Sequence, residues 1–256
     1  MKIALFSDIH ANLPALEAFF ADVETRKPDA LYCLGDLVGY NIWPNEVINE
    51  IRRRGIPTIT GNYDFGIGRS SDDCGCAYKT DEEKAMGKIS ISFTNEMVKD
   101  EERAYLRTLP AHIRLEYQLN SDRLTVLLVH GSPRKVNEYL FEDREEKSML
   151  RIMEQAGADI MCFGHTHKPY HRILELASDK GTAYLHAINI GSVGKPKDGD
   201  PRGGYVMLTI NEDSSKTLKD SINVEFIRFE YDVNKAAAAI EGSPLPDEYA
   251  EMLRTG

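Results

Sequence analysis

The chain has 256 residues, 42% of them hydrophobic, enough for the core of one large α/β domain. Its net charge of −10, from 31 basic and 41 acidic residues, argues against a broad grip on nucleic-acid phosphates, and so against a nuclease. A small phosphorylated substrate stays open, because bound cations reverse the sign of a site locally.

Lys2 to Ser7 reads as a short buried strand ended by the polar Asp8-Ile9-His10. That apolar run is too short for a signal peptide, and no stretch approaches the roughly 18 apolar residues of a membrane span, so a soluble cytoplasmic protein without membrane contact is expected. Leu13, Leu16, Phe19, Phe20 and Val23 recur at helical spacing over Leu13 to Arg26. Ala30 to Leu34 is a second strand, closed by Gly35-Asp36. Pro44 to Arg54 is a helix with proline in its first turn. Ile56 to Thr60 reads as a third strand, closed by Gly61-Asn62, which gives the strand–helix rhythm of a parallel sheet. Phe65 to Thr80 then reads as a loop and Asp81 to Leu109 as one or two helices, with Asp81-Glu82-Glu83 suited to a helix start. The interruption at about 65–110 reads as an insert, a cap beside a site. Strands return at 113–119, 124–129 and 159–163, the last two stopping at His130-Gly131 and Gly164-His165-Thr166-His167, with a helix over 144–156. Strands near 171–178, 182–190, 204–211 and 222–230 follow one another directly and predict antiparallel pairing in a second sheet; helical pieces at 233–241 and 246–253 end the chain.

One pattern recurs: an apolar strand, then a tight polar turn holding Asp, Asn or His. In open α/β sheets ligands gather at such carboxyl ends. Brought together, these turns collect Asp8, His10, Asp36, Asn62, His130, His165 and His167. Mixed imidazole and carboxylate donors suit Zn, Mn, Fe or Co better than Ca or Mg. So many donors exceed one tetrahedral ion and match two ions about 3.5–4 Å apart sharing a carboxylate.

Taken in order, Asp8-Ile9-His10, Gly35-Asp36, Gly61-Asn62-Tyr63-Asp64, His130-Gly131 and Gly164-His165-Thr166-His167 resemble the motifs of the calcineurin-like metallophosphoesterase superfamily, in particular its YfcE-type phosphodiesterase branch. Asn189-Ile190-Gly191-Ser192-Val193-Gly194 is similar to the family's loop before its last strands. The resemblance implies a single domain over 1–256: a four-layer αββα sandwich of two mixed sheets flanked by helices. It implies two divalent ions (Mn, Fe, Zn, Co or Ni, with Mn foremost for activity). Asp8, His10 and His167 would hold one, Asn62, His130 and His165 the other, and Asp36 would bridge them. It further implies hydrolysis of a small phosphodiester, phosphomonoester or nucleotide phosphoanhydride by a metal-bridging hydroxide, with Asn62 holding phosphate oxygens. The alternative on the same fold is a catalytically weak scaffold that binds a partner protein. A homo-oligomer is compatible with either.

The chain departs from the family pattern at Tyr63, where a histidine usually stands as candidate general acid. Tyrosine, with a reference pKa of about 10, is a poor acid near neutrality but can still donate a hydrogen bond. Asn62, Tyr63 and Asp64 are therefore the candidate catalytic group, with a lean toward substrates having good leaving groups. Lys197 and Arg202, in a late loop with Lys195, are candidate substrate cations, set against a merely solvated charged loop; Arg134 and Lys135 share that ambiguity. Cys33 and Cys162 read as core residues, Cys74-Gly75-Cys76 as an exposed loop, and His112, His171 and His186 as structural.

Overall fold

The computed structural model of the chain describes residues 1–120, 122–179 and 181–256. The first half runs β1 (Lys2–Phe6), α1 (Leu13–Arg26), β2 (Ala30–Cys33), α2 (Pro44–Arg53), α3 (Asn62–Gly68), α4 (Asp81–Met97), α5 (Asp100–Leu106), β3 (His112–Gln118) and β4 (Arg123–Val129). The second half runs α6 (Glu146–Ala156), β5 (Ile160–Phe163), β6 (Tyr170–Ser178), β7 (Gly181–Asn189), β8 (Gly203–Thr209), β9 (Asn223–Phe229), α7 (Val233–Glu241) and α8 (Glu248–Thr255). One sheet has the order β2-β1-β8-β9 and the other β3-β4-β5-β7-β6.

Side chains alternate across each strand, and this alternation builds the layers. Ile3, Leu5, Val206 and Leu208 of the first sheet face Val126, Leu128, Ile160 and Cys162 of the second, forming the core between the sheets. The other faces of the same strands, Ala4, Phe6, Tyr205 and Met207, pack under α1 and α2. Leu127, Val129, Met161 and Phe163 pack under Met149, Ile152 and Met153 of α6. The result is the expected four-layer sandwich. Among the described residues, no helix is long and apolar enough to cross a membrane.

Local chemistry explains where the helices start. The Asn12 side chain accepts a hydrogen bond from Ala15 N and Pro14 occupies the first turn of α1; Thr80 caps α4 by accepting from Glu83 N. The acidic first turn of α4 is as expected from the helix dipole.

Three parts of the sequence reading need correction. Ile56 to Thr60 is no strand: it touches the first sheet through a single bridge, Cys33 with Thr58. Pro57 has no N–H to extend a ladder, and Thr60 N turns away to Pro110 O at 2.8 Å. The late strands also do not share one sheet. β6 and β7 pair antiparallel in the second sheet, while β8 crosses back to pair antiparallel with β1 and then β9. Alternation gives each strand two faces but does not say which neighbour it takes. Finally, part of the supposed loop from Phe65 is α3, whose start is fixed by the Asp64 carboxylate accepting from Gly61 N at 2.9 Å.

Phe163, the last residue of β5, is fully buried with its ring edge-on to that of Tyr170. Phe163→Ala is expected to cost about 3–5 kcal/mol of unfolding free energy, measured by denaturant titration of the metal-free protein. A loss below about 1 kcal/mol would contradict the packing described for the α6 layer.

Candidate metal centre

The polar turns gather at one edge of the sandwich, and both sheets contribute. Asp8 and His10 follow β1, Asp36 follows β2, His130 follows β4, and His165 and His167 follow β5. Asp8, His10, Asp36, His165 and His167 all adopt left-handed backbone, with φ of 55, 50, 54, 67 and 60°. For non-glycine residues such conformations cost on the order of 1–3 kcal/mol each and persist only where the surroundings enforce them. Here the enforcement is cross-linking of one turn to another. Asp8 N donates to Gly35 O at 2.9 Å, His10 N to Asp36 O at 3.0 Å, and Gly164 N to His130 O at 2.9 Å. Glycine is required where the turns touch: a Cβ on Gly61 would lie 2.0 Å from Asp36 Oδ1, and one on Gly164 2.4 Å from Asp8 Oδ2.

Two donor groups result, Asp8–His10–His167 and Asp36–His130–His165, all buried, each with its donor atoms within 4.8 Å of one another. Asp36 Oδ2 lies 3.3 Å from His130 Nε2 in its own group and 3.7 Å from His10 Nε2 in the other, so one carboxylate oxygen stands between the two. Its second oxygen is taken by Tyr63 N at 2.9 Å. Asp8 divides in the same way, Oδ2 accepting from His165 N at 3.1 Å and Oδ1 facing His167 Nε2 at 3.1 Å. Asn62 turns Oδ1 toward His130 Nε2, 3.1 Å away, while its Nδ2 donates to Cys74 O at 2.8 Å.

Hydrogen bonding decides the tautomers. Nδ1 of His10 meets Val38 O, that of His130 meets Leu34 O, and that of His167 meets Lys195 O. A carbonyl can only accept, so each Nδ1 carries the proton and each neutral ring presents an Nε2 lone pair to the centre. Burial holds His10 neutral, with its pKa pushed down to about 3, and also lowers that of His167. Their Nε2 atoms nonetheless face each other at 3.2 Å beside the Asp8 carboxylate. Two lone pairs and a carboxylate converging on one point are mutually repulsive unless a cation lies among them. Among the described residues, His165 Nε2 is also buried without a hydrogen-bond partner, and burial pushes its pKa down to about 3. The donor set therefore fits divalent cations.

In the metal-free chain a proton takes part of that role. Burial alone would lower the pKa of His130, but the Asp36 charge and hydrogen bond push it up to about 10. Burial would likewise raise the Asp8 carboxyl, yet His167, with His130 and His10, holds it well below the usual range. Burial and the Asp36 charge push Asp64 up to about 7, despite its hydrogen bonds from Gly61 N and Leu37 N.

All seven residues expected to hold metal thus come together. Tyr63 lies beside them, 1% exposed, its ring 5.5 Å from that of His10 and 4.7 Å from that of Tyr40. Burial raises its phenol well above the usual pKa, so it stays protonated. Asp64 ties the second and third turns together through backbone N–H groups. Lys197 leaves much of its length exposed, yet its ammonium is close enough to influence His167 and to be influenced by Cys76, Asp8 and Asp36. Arg202 is exposed and paired with Asp200 at 2.7 Å, and Arg134 is held by Glu138. His171 and His186 pair with each other at 2.9 Å across β6 and β7, and His112 opens β3 at an exposed position.

Cys74-Gly75-Cys76 is not the exposed loop expected. Cys74 is buried against α3, and Cys76 Sγ lies 3.5 Å from Asn62 Nδ2; both thiols are free. Several supporting hydrogen bonds gave no sequence signal. Asn189 Nδ2 donates to Gly164 O at 3.0 Å and Thr166 Oγ1 at 2.9 Å, and Ser192 Oγ to Asp8 O at 2.8 Å. The resemblance had marked that loop, but not these bonds.

Because the His130 pKa is raised, it holds its proton at pH 7, and a cation must expel that proton to bind. Loading with Mn at pH 7 is expected to release at least about one proton per chain, and affinity is expected to fall as pH falls. A pH-indicator dye in weak buffer reads the release directly; proton-neutral uptake would contradict the assignment.

Comparison with known proteins identifies the family. Residues 1–213 match the calcineurin-like phosphoesterase superfamily domain. The uncharacterized protein MJ0912 of Methanocaldococcus jannaschii is 33% identical over 264 residues, covering 99% of this chain and 98% of its own length. UDP-2,3-diacylglucosamine hydrolase of Sodalis glossinidius is 29% identical over 224 residues, covering 73% of this chain and 90% of its own. The crystal structure of a metallophosphoesterase from Sphaerobacter thermophilus superposes with a TM-score of 0.73 at 26% identity, over 100% of this chain and 99% of that one. With its ordered donor turns, its sandwich and a family match over most of its length, this chain belongs to the calcineurin-like phosphoesterase superfamily.

Proposed function

We propose that the chain is a two-metal phosphoesterase that hydrolyses a small phosphorylated substrate, a phosphodiester, phosphomonoester or nucleotide phosphoanhydride. The observation that carries this reading is the single Asp36 oxygen standing between the two donor groups, 3.3 Å from His130 and 3.7 Å from His10. Asp8, His10 and His167 would hold one divalent cation and Asn62, His130 and His165 the other, with Asp36 shared; Mn is the ion we expect to sustain activity. When bound, such a pair supplies Lewis acidity toward a phosphoryl oxygen and a water of lowered pKa.

The chain's own residues supply orientation and charge. Carbonyls of Leu34, Val38 and Lys195 aim three imidazoles inward. Asn62 is aimed from the opposite side by Cys74 O, so the 65–110 insert acts as a cap that sets one wall of the site. Lys197 brings a positive charge toward the mouth and is the better candidate for a substrate phosphate, since the Arg202 guanidinium is already engaged by Asp200. Tyr63, buried and protonated, fills space against Gly39, Tyr40 and His10 and is a poor proton donor to a leaving group. This favours substrates whose leaving groups need little protonation. The relative named for hydrolysis of UDP-2,3-diacylglucosamine is consistent with a phosphorylated small molecule of that kind.

The test is Mn-dependent hydrolysis of bis-p-nitrophenyl phosphate. Wild type should turn over, chelation should abolish turnover, and added Mn should restore it. Asp36→Asn should lose about a hundredfold or more. Tyr63→Phe should lose far less than the roughly 10²-fold that removing a general acid costs. Metal-loaded wild type with no turnover of this ester, of monoesters or of nucleotides would overturn the enzymatic reading.

A further inference from the structure

The loop after β4 carries a feature that the metal chemistry does not use. The Tyr139 ring lies against that of His165, with centroids 4.1 Å apart, and the Phe141 ring lies parallel to Tyr139 at 5.7 Å and 13°. These rings lead outward from a donor of the second group to a phenyl that is 45% exposed. Exposed aromatics are common, but this one differs in its setting. Phe65, exposed to a similar extent, has the Arg69 guanidinium 3.7 Å above its ring, whereas Phe141 continues a stack that begins at the metal centre.

The loop is also fixed in place. Leu140, between the two rings, is 1% exposed, and its carbonyl accepts from Tyr170 Oη at 2.9 Å. Arg172 on β6 donates to the carbonyls of Glu142 at 3.0 Å and Arg144 at 2.5 Å. Across the mouth, Asn137 Nδ2 donates to Gly75 O at 2.9 Å and Ala77 N to Tyr139 Oη at 3.4 Å, so the insert holds Tyr139 from the other side. A rigid, partly solvated aromatic platform loses little conformational entropy when a flat ring lands on it.

We propose that Tyr139 and Phe141 form a stacking subsite for a nucleobase, so that the preferred substrates are nucleotides with the reacting phosphate at the metals. This rests on the phosphoesterase reading and narrows it to a substrate class. On this proposal a ring joined directly to the ester oxygen, as in an aryl phosphate, falls short of Phe141, and a base held one sugar further out meets it. Stacking tolerates any base, since every base presents a π-face, so the subsite selects nucleotides without selecting one sequence letter.

The experiment measures binding by calorimetry to the intact Mn-loaded chain, with bound Mn quantified for every variant and bis-p-nitrophenyl phosphate turnover followed in parallel. AMP is compared with ribose 5-phosphate, and phenyl phosphate with methyl phosphate. Wild type should bind AMP roughly tenfold more tightly than ribose 5-phosphate. Phe141→Ala, at an exposed position, should erase that advantage while leaving ribose 5-phosphate affinity, Mn content and the phenyl-to-methyl ratio unchanged; Phe141→Trp should restore it. Equal affinity of wild type for AMP and ribose 5-phosphate, with diester turnover intact, overturns the subsite and leaves the phosphoesterase reading standing. So does an AMP advantage that survives in Phe141→Ala, or an effect of that variant on phenyl phosphate alone. Loss of turnover together with failure of every phosphate compound to bind overturns the phosphoesterase reading and the subsite with it.

Discussion

Asp8 and Asp36 are buried almost completely beneath a ring of imidazoles whose Nε2 atoms point at them. Burying one carboxylate costs several kcal/mol unless it is paired or coordinates a cation, and two side by side repel each other as well. Within the buried donor set, the positive charge that answers them comes from a proton on His130 or from metal. This constraint runs through the rest of the molecule. Backbone carbonyls orient the rings, left-handed turns bring the side chains inward, and the turns brace one another.

Neither sheet makes the centre alone. The first supplies Asp8, His10 and Asp36, the second His130, His165 and His167, and the contact between the sheets is an apolar core running from Ile3 and Leu5 to Val126 and Ile160. Each donor group draws residues from both sheets, so hydrophobic burial between the sheets sets the spacing within each group. The C-terminal helices add to this from outside: Lys195, whose carbonyl meets His167, has its Nζ buried 3.3 Å from Met252 Sδ and over the rings of Tyr40 and Tyr249. Strained backbone at Asp8, His10 and His165 persists because that framework outweighs it.

Much of this could be read from the sequence, for identifiable reasons. Strand ends followed by Asp-x-His, Gly-Asp, His-Gly and Gly-His-Thr-His mark both a local conformation and a chemistry, so six of the seven candidate donors were legible there, and Asn62 from the Gly61-Asn62 turn. Pairing partners were not: the alternation in 204–211 looks the same whether the strand joins β7 or, as it does, β1. Ile56 to Thr60 carried a strand-like apolar pattern, and Pro57 limited it to one bridge. Cys76 and Tyr139 could not be found from spacing, because each reaches the site through tertiary contacts of loops far apart in sequence. Tyr63 was legible as a departure from the family pattern, but not as a buried ring packed on Gly39.

The central claim is a pair of cations sharing Asp36. Electron paramagnetic resonance of the fully Mn-loaded chain tests it most directly. The account predicts the spectrum of two exchange-coupled ions in wild type, giving way to isolated-ion signals in Asp36→Asn. Isolated-ion signals alone in fully loaded wild type would contradict it.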